Sequence, residues 1–126
     1  MAAERESPSW NVRVKRIYES PDGGFRVLVD RLWPRGVSKS RAGLDEWRKD
    51  LAPSTELRTW FGHRGDRWEE FVQRYRVELE GNPGVAGFGR ECRSRPDTVL
   101  LFGARNETEN EAVVLRDYLL STPGPA

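Results

Sequence analysis

Two short apolar runs, rich in β-branched residues, have the length and composition of buried strands. They cover residues 25–32 and 98–102, and each follows a pair of turn-forming residues, Gly-Gly in one case and Pro-Asp in the other. A third segment, residues 12–18, alternates apolar and charged residues as an edge strand does. Residues 22–24 are few enough to form a hairpin turn between the strands on either side of them. The pattern therefore predicts three strands, two of them joined as a hairpin.

Apolar residues recur at helical spacing in the middle of the chain. They predict one helix through Leu44, Trp47 and Leu51 and a second through Leu57, Trp60 and Phe61. The clearest stripe comprises Trp68, Phe71, Val72, Tyr75 and Leu79. Asp66, with Glu69 three residues later, resembles a capping box at the start of that helix. Most of these aromatic side chains are expected to form core and helix-packing surface.

Two further helices are predicted in the second half of the chain. A weaker pattern covers residues 85–93, and the last helix runs from about residue 107 to 120 with Ala112, Leu115 and Leu119 on one face. Asn106 and Glu109 have the spacing of an N-cap and its partner. Strands that alternate with helices predict an α/β fold. We expect a small, three- to four-stranded, partly parallel sheet with helices packed on it, in a single domain over residues 10–121 between flexible tails, residues 1–9 and 122–126.

Composition narrows the classes of function. A chain of 126 residues is long enough to bury a core without disulfides or a structural metal. The formal net charge of +1 gives little attraction for nucleic acid or anionic membrane. No apolar run approaches the roughly 18 residues of a spanning helix, so we expect no membrane partner. The chain has one histidine, His63, and one cysteine, Cys92, which excludes a Cys/His zinc site and an internal disulfide. We therefore expect no metal site and a cytoplasmic location.

The loop after the second predicted strand, residues 29–40, carries candidate ligand-binding groups. In open α/β sheets, ligands bind beyond the carboxyl ends of the parallel strands. Arg31, Arg35 and Lys39 are suited to a carboxylate or phosphate, and Trp33 offers a stacking surface. Asp30 would orient an arginine or act as a base. An Asp-Arg pair that serves structure alone is the alternative for this loop.

The loop after the last predicted strand is the second candidate. Gly103 would let the backbone approach a ligand, and Arg105 and Asn110 could bind a polar substrate. If the two strands are parallel and close together, both loops open onto one crevice. His63, between two predicted helices, is a candidate acid or base, since histidine titrates near neutral pH. The alternative for His63 is a hydrogen-bonding residue in a polar turn.

Three segments resemble the YeaO-like family, a branch of the proteins grouped as domain of unknown function 488. They are VLVDRLWPRGVSK, LDEWRKDLAPSTELRTWFGHRGDRWEEFVQRY and VLLFGARNETENEAVVLRDYL, and the match spans about residues 12–120. The resemblance implies a small single-domain cytoplasmic α/β protein and assigns no reaction or cofactor. The family-typical polar residues at matching positions are Asp30, Arg31, Arg35, Lys39, Ser54, Arg58, His63, Arg105 and Asn110.

The chain departs from the family pattern in the second loop. Asn106 and Glu109 stand where members of the family usually have Asp and His. If the family uses that pair for a metal or for proton transfer, this chain lacks it; either the pair is not catalytic or this chain is a relative that only binds. More distant members carry a cysteine in this loop, whereas Phe102, Gly103 and Ala104 supply no thiol.

Three hypotheses for function follow. The first is an enzyme or sensor for a small anionic ligand, such as a nucleotide, phosphate or carboxylate. In that case Arg31, Arg35 and Lys39 hold the anion and Arg105 and Asn110 close the site. The second is a non-catalytic nucleic-acid-binding module, in which Trp33 stacks on bases and a stripe of cations near the strands contacts phosphates. The cations of that stripe are Arg13, Lys15, Arg16, Arg26 and Arg31. The third is a structural or interaction protein. The sequence favours the first and leaves the oligomeric state open.

Overall fold

Four strands form one parallel sheet in the computed structural model, which describes residues 10–121. The strands are β1 (Val12–Arg16), β2 (Phe25–Leu28), β3 (Glu46–Trp47) and β4 (Thr98–Phe102), and their order across the sheet is β1-β4-β2-β3. Each neighbouring pair is parallel. The predicted α/β class is therefore confirmed. The predicted tails, residues 1–9 and 122–126, lie outside the described residues.

The most apolar strand, β4, lies between β1 and β2. All five of its residues are buried, and Leu100 pairs with Val14 of β1 on one side and Val27 of β2 on the other. A continuous apolar run of this kind is stable only where both faces of the sheet are covered. The central position of β4 therefore follows from its composition, and it brings the ends of three strands together at one edge.

The predicted hairpin between β1 and β2 is wrong, because β4 separates these strands and all three run in the same direction. Residues 17–24 instead cross back over one face of the sheet. Arg13 holds this connection, since its guanidinium group bonds Asp22 at 3.0 Å and Asp97, just before β4, at 3.1 Å. A short turn-forming interval fits a hairpin or a tight return equally well, and the long-range pairing with β4 decided between them.

Most of the helices pack on one face of the sheet. They are α2 (Thr55–Phe61), α3 (Trp68–Glu80), α4 (Pro83–Arg93) and α5 (Glu111–Ser121). Their buried side chains join Val27, Leu100 and Phe102 in one core cluster. Leu28, Val99 and Leu101, which alternate with those residues along the strands, pack on the other face against Ile17 and the short helix α1 (Lys39–Ala42). No helix among residues 10–121 is long and apolar enough to cross a membrane.

The helix predicted through Leu44, Trp47 and Leu51 is wrong. Residues 46–47 form β3, and the segment bonds to β2 through Asp45 N–H to Arg26 O at 2.9 Å. Leu44 and Trp47 pack on one face of the sheet, whereas Leu51 belongs to the core on the other face. The spacing imitated a helical stripe, but the three side chains serve two different layers.

The other predicted helices are present, although their starts differ from the prediction; α4, expected from residue 85, begins at Pro83. Asp66 does not cap α3, because it lies in the 3-10 turn Gly65–Arg67 and pairs with Arg64. The last helix, α5, begins at Glu111 instead of residue 107. Asn106 does accept the N–H of Glu109 at 2.9 Å, as an N-cap would. The chain does not continue as a helix from there, and Asn110 makes the same bond at the true start.

Candidate functional site

A cavity of about 620 Å³ opens at the edge of the sheet where the strands end. Three loops that leave strands line it, with Tyr18 after β1, Asp30 after β2 and Gly103 after β4. Phe61 of α2 and Phe71 of α3 also line it. The prediction that the loops after β2 and β4 open onto one crevice is therefore confirmed. A parallel sheet brings these loops together because all its strands end at the same edge.

The loop after β2 is held in one conformation by hydrogen bonds. Arg31 donates from Nε to the carbonyl of Pro53 at 3.0 Å, and Trp33 donates from its indole N–H to Val37 O at 2.6 Å. The carbonyl of Arg35 accepts from the Tyr18 hydroxyl at 2.9 Å. Gly36 supplies the positive φ, 77°, that the turn requires. The Arg35 side chain itself is exposed at the cavity and makes no hydrogen bond or ion pair within residues 10–121.

Two interacting carboxyl groups line the cavity. One oxygen of Asp30 accepts the backbone N–H of Gly103 at 2.8 Å, and the Asp30 carboxyl interacts directly with that of Glu111, the first residue of α5. A side chain at Gly103 would place its Cβ 3.0 Å from Asp30, so glycine permits this close approach. Burial, and then the hydrogen bond and charge of Asp30, raise the pKa of Glu111 well above its ordinary value. Glu111 therefore favours its neutral form.

The opposite rim carries Arg58 and His63. Arg58 lies on α2, is exposed, and makes no hydrogen bond or ion pair within the described residues, although its charge acts on Glu111. His63 follows the C-cap of α2 and has φ 59°, a left-handed backbone conformation unusual for a non-glycine residue. Non-glycine residues in this conformation cluster at functional sites, so the backbone of His63 supports its candidacy.

The charge of the lining is positive. Its guanidinium groups belong to Arg31, Arg35 and Arg58, and its carboxyl groups belong to Asp30 and Glu111. The arginines outnumber the carboxyl groups, and the raised pKa of Glu111 increases the imbalance. An excess of guanidinium groups in a cleft attracts carboxylates and phosphates and can bind them with two parallel hydrogen bonds.

Not all the residues singled out in the sequence meet at this cavity. Asp30, Arg31, Trp33, Arg35, His63 and Asn110 line it. Lys39, at the start of α1, and Arg105 do not. Asn110 is 2% exposed, and its amide caps α5 by accepting the N–H of Val113 at 3.1 Å and donating to Asn106 O at 2.8 Å. Both polar groups of the Asn110 amide are thus engaged within the fold.

Sequence reasoning missed Glu111 and Tyr18. Starting α5 at residue 107 placed Glu111 inside the helix, where a carboxylate is ordinarily a solvated side chain. An N-cap assigned to Asn110 instead of Asn106 would have placed Glu111 at the first position of α5. Tyr18 ended a predicted edge strand and carried no motif. Cys92, by contrast, is buried away from the cavity, and burial raises the pKa of its thiol to about 11.

The fold and the cavity together define a small parallel α/β protein with a positively charged cleft at the carboxyl ends of its strands. The chain belongs to the DUF488 family, since the family model described as the inactive DUF488-N3 subclade matches residues 11–123. It is 39% identical to the uncharacterized protein YeaO of Escherichia coli K12 over 113 residues, which cover 88% of this chain and 98% of that one. The predicted YeaO-like family is confirmed.

The chain is also similar to mycobacterial proteins. It is 41% identical to the uncharacterized protein Rv3073c of Mycobacterium tuberculosis H37Rv over 110 residues, 86% of this chain and 92% of that one. The uncharacterized protein Mb3100c of Mycobacterium bovis has the same identity and coverage. No solved structure matches the chain.

Proposed function

We propose that the protein binds a small organic anion in the cavity at the carboxyl ends of its strands, as a sensor or carrier and without catalysing a reaction. The observation that carries this proposal is the lining: it holds three guanidinium groups, two of them without a hydrogen-bond or ion-pair partner among residues 10–121, against two carboxyl groups, of which Glu111 has a raised pKa. A cytoplasmic location, in keeping with the single unpaired cysteine, is part of the proposal.

A binding role without catalysis is supported by the state of the candidate acid–base groups. Asp30 is engaged with the Gly103 N–H and with Glu111, and in this arrangement it connects the loops after β2 and β4 to α5. Asn106 and Glu109 replace the Asp and His that the resemblance led us to expect. The description of the matching subclade as inactive agrees with this role.

Arg58 and Arg35 are the residues that we expect to contact the anion. Both side chains are exposed at the cavity and free to turn toward a ligand. Arg31 contributes charge, but its Nε and one amino group are held by the carbonyls of Pro53 and Ala52. His63 completes the rim as a hydrogen-bonding group.

A thermal-shift screen tests the proposal. The panel contains adenosine monophosphate, glucose 6-phosphate, citrate, benzoate and phenyl phosphate at constant ionic strength. A ligand present at about 100 times its Kd should add about 2.7 kcal/mol, or roughly 8 °C in Tm. We expect at least one anion to raise Tm, and we expect Arg58→Ala to abolish that shift without lowering the Tm of the free protein.

Arg105→Ala is the matched control, because Arg105 is an exposed arginine near the same edge that does not line the cavity. This variant should keep the ligand-induced shift. The proposal fails if no anion in the panel raises Tm. It also fails if the shift survives in Arg58→Ala or is lost equally in Arg105→Ala.

A further inference from the structure

The size of the cavity bears on the class of ligand. At about 620 Å³ it falls within the range of about 300–1,000 Å³ that accommodates organic small molecules. A bare phosphate or acetate held by the rim arginines would leave most of this volume to water. The ligand is therefore expected to have a body beyond its anionic group.

The walls of the cavity indicate the chemistry of that body. Four large apolar side chains are exposed among the described residues, and two of them, Leu32 at 59% and Tyr18 at 40%, line this cavity. Phe61 and Phe71, buried and stacked with ring centroids 4.3 Å apart, also line the cavity. Two exposed apolar side chains beside aromatic rings in one cleft provide a surface that an apolar ligand can cover.

Two of the aromatic side chains in the lining are fixed. Trp33 is held by the bond from its indole N–H to Val37 O and by an edge-on contact with Trp47 at 5.3 Å. Tyr18 is held by its hydroxyl and by the guanidinium group of Arg16, 4.6 Å from its ring centroid. Because these rings are already ordered, a flat ligand would contact them at little entropic cost.

We propose that the ligand is an aromatic organic acid. Its carboxylate or phosphate binds the arginine rim, and its ring lies against the apolar wall that includes Leu32 and Tyr18. This inference rests on the function proposed above and adds the class of ligand. The anionic group selects for charge, and the fixed aromatic walls select for a flat apolar body.

Two matched pairs of probes separate the contribution of the anionic group to binding from that of the ring. Benzoate is compared with acetate, and phenyl phosphate with inorganic phosphate, so each pair differs by a ring. Titration of the ¹⁵N-labelled full chain, followed by the indole N–H resonance of Trp33, gives the Kd of each probe. That resonance is assigned by its disappearance in Trp33→Phe. We expect the ring to tighten binding at least tenfold in one pair or both and to move the Trp33 signal.

Leu32→Ser should remove most of the gain due to the ring, and it should not unfold the protein because Leu32 is exposed. Leu120→Ser, at an exposed leucine outside the cavity, is the control and should leave the Kd of every probe unchanged. If acetate and phosphate bind as tightly as their ring-bearing partners, the ligand class is wrong while anion binding stands. The inference also fails if the gain survives in Leu32→Ser. If none of the four probes binds, the ligand class is wrong, and anion binding itself is overturned only if no anion of the thermal-shift panel raises Tm either.

Discussion

At the scale of single residues, the fold changes the chemistry of Glu111 at the cavity. Its carboxyl lies against Asp30, and one of its oxygens is buried without a hydrogen-bond partner among residues 10–121 that could donate to it. The charge of Arg58 acts in the opposite direction and lowers the pKa of Glu111, and Glu111 in turn helps to raise the pKa of Tyr75. A proton retained on Glu111 avoids both the burial of a charge and the repulsion from Asp30. A neutral carboxyl group loses less solvation free energy on burial, and its O–H can donate to the Asp30 carboxyl group.

A pH dependence of stability follows from this. The pKa of Glu111 is higher in the folded than in the unfolded chain, so the folded state binds more protons above an ordinary glutamate pKa of about 4.3. Protonated Glu111 therefore adds its full stabilisation to the folded state below the ordinary glutamate pKa. This stabilisation is lost as the pH rises toward the folded pKa of Glu111. The loss is at most about 1.4 kcal/mol per pH unit.

Glu111→Gln removes this titration while keeping the shape of the side chain and a donor for Asp30. We expect the variant to gain stability relative to the native protein between pH 5 and pH 8, as measured by urea unfolding at both pH values. Glu107→Gln, at an exposed carboxyl nearby, should show no such gain. A stability difference between Glu111→Gln and the native protein that does not change with pH would contradict a proton held on Glu111.

At the scale of elements, the start of α5 positions one side of the cavity. Asn110 caps the helix at Val113 and also holds the preceding turn through Asn106 O. Asn106 caps a turn of its own, with bonds to the N–H groups of Thr108 and Glu109. Both asparagines satisfy the local rule for an N-cap, which is why the sequence pattern placed the helix one turn early. Burial of Asn110 against the core selects the second position.

Asn110→Ala should therefore lower the free energy of unfolding by about 1–2 kcal/mol, because it removes a buried cap. Asn106→Ala is the matched control, and its exposed turn should cost less than about 0.5 kcal/mol. Urea unfolding of the two variants measures the difference. Equal costs, or a larger cost for Asn106→Ala, would place the functional start of the helix at the earlier turn.

The element β3 shows a second limit of local pattern. Its two residues were expected within a helix, and they instead extend the sheet beyond β2. The indole N–H of Trp47 donates to the carbonyl of Asp30 at 2.8 Å, so this strand supports the loop that carries the candidate site. Backbone pairing between segments distant in sequence leaves no trace in a short apolar period.

At the scale of the whole molecule, the arrangement of cations bears on the nucleic-acid hypothesis. Arg13 and Lys15 pair with carboxylates, and Arg16 and Arg31 donate to backbone carbonyls. Arg26 is 4% exposed. The cations that the sequence grouped as a stripe are thus engaged within the fold, and the net charge of the chain is +1. No observation favours a nucleic acid over a small anion.

We accordingly expect no binding of a single-stranded oligothymidylate of about 20 nucleotides at protein concentrations up to about 100 µM in low salt. Fluorescence anisotropy of a labelled oligonucleotide measures this. Micromolar binding, with an affinity that falls by several log units for each log unit of salt concentration, would instead assign the molecule to the nucleic-acid-binding class.

Much of the architecture was readable from local pattern. The strand at residues 98–102, the stripes of α2 and α3 and the buried face of α5 were predicted because burial on a sheet or helix imposes a period on the sequence. The loops after β2 and β4 were predicted to share a crevice because parallel strands end at one edge. Arg31, Trp33 and Arg35 were singled out from the loop after β2, and His63 was singled out separately as a histidine between two predicted helices; all four line the cavity.

The tertiary structure decided the rest. Contacts between distant segments set the parallel strand order, with β4 between β1 and β2, and the return of residues 17–24. They also bring Asp30 to Glu111 and keep Lys39 and Arg105 away from the cavity. Such contacts determine which residues of a loop face inward and whether a buried carboxyl group keeps its proton. A sequence read one segment at a time predicts the elements and the edge where they meet, and the packing of those elements assigns each side chain its role.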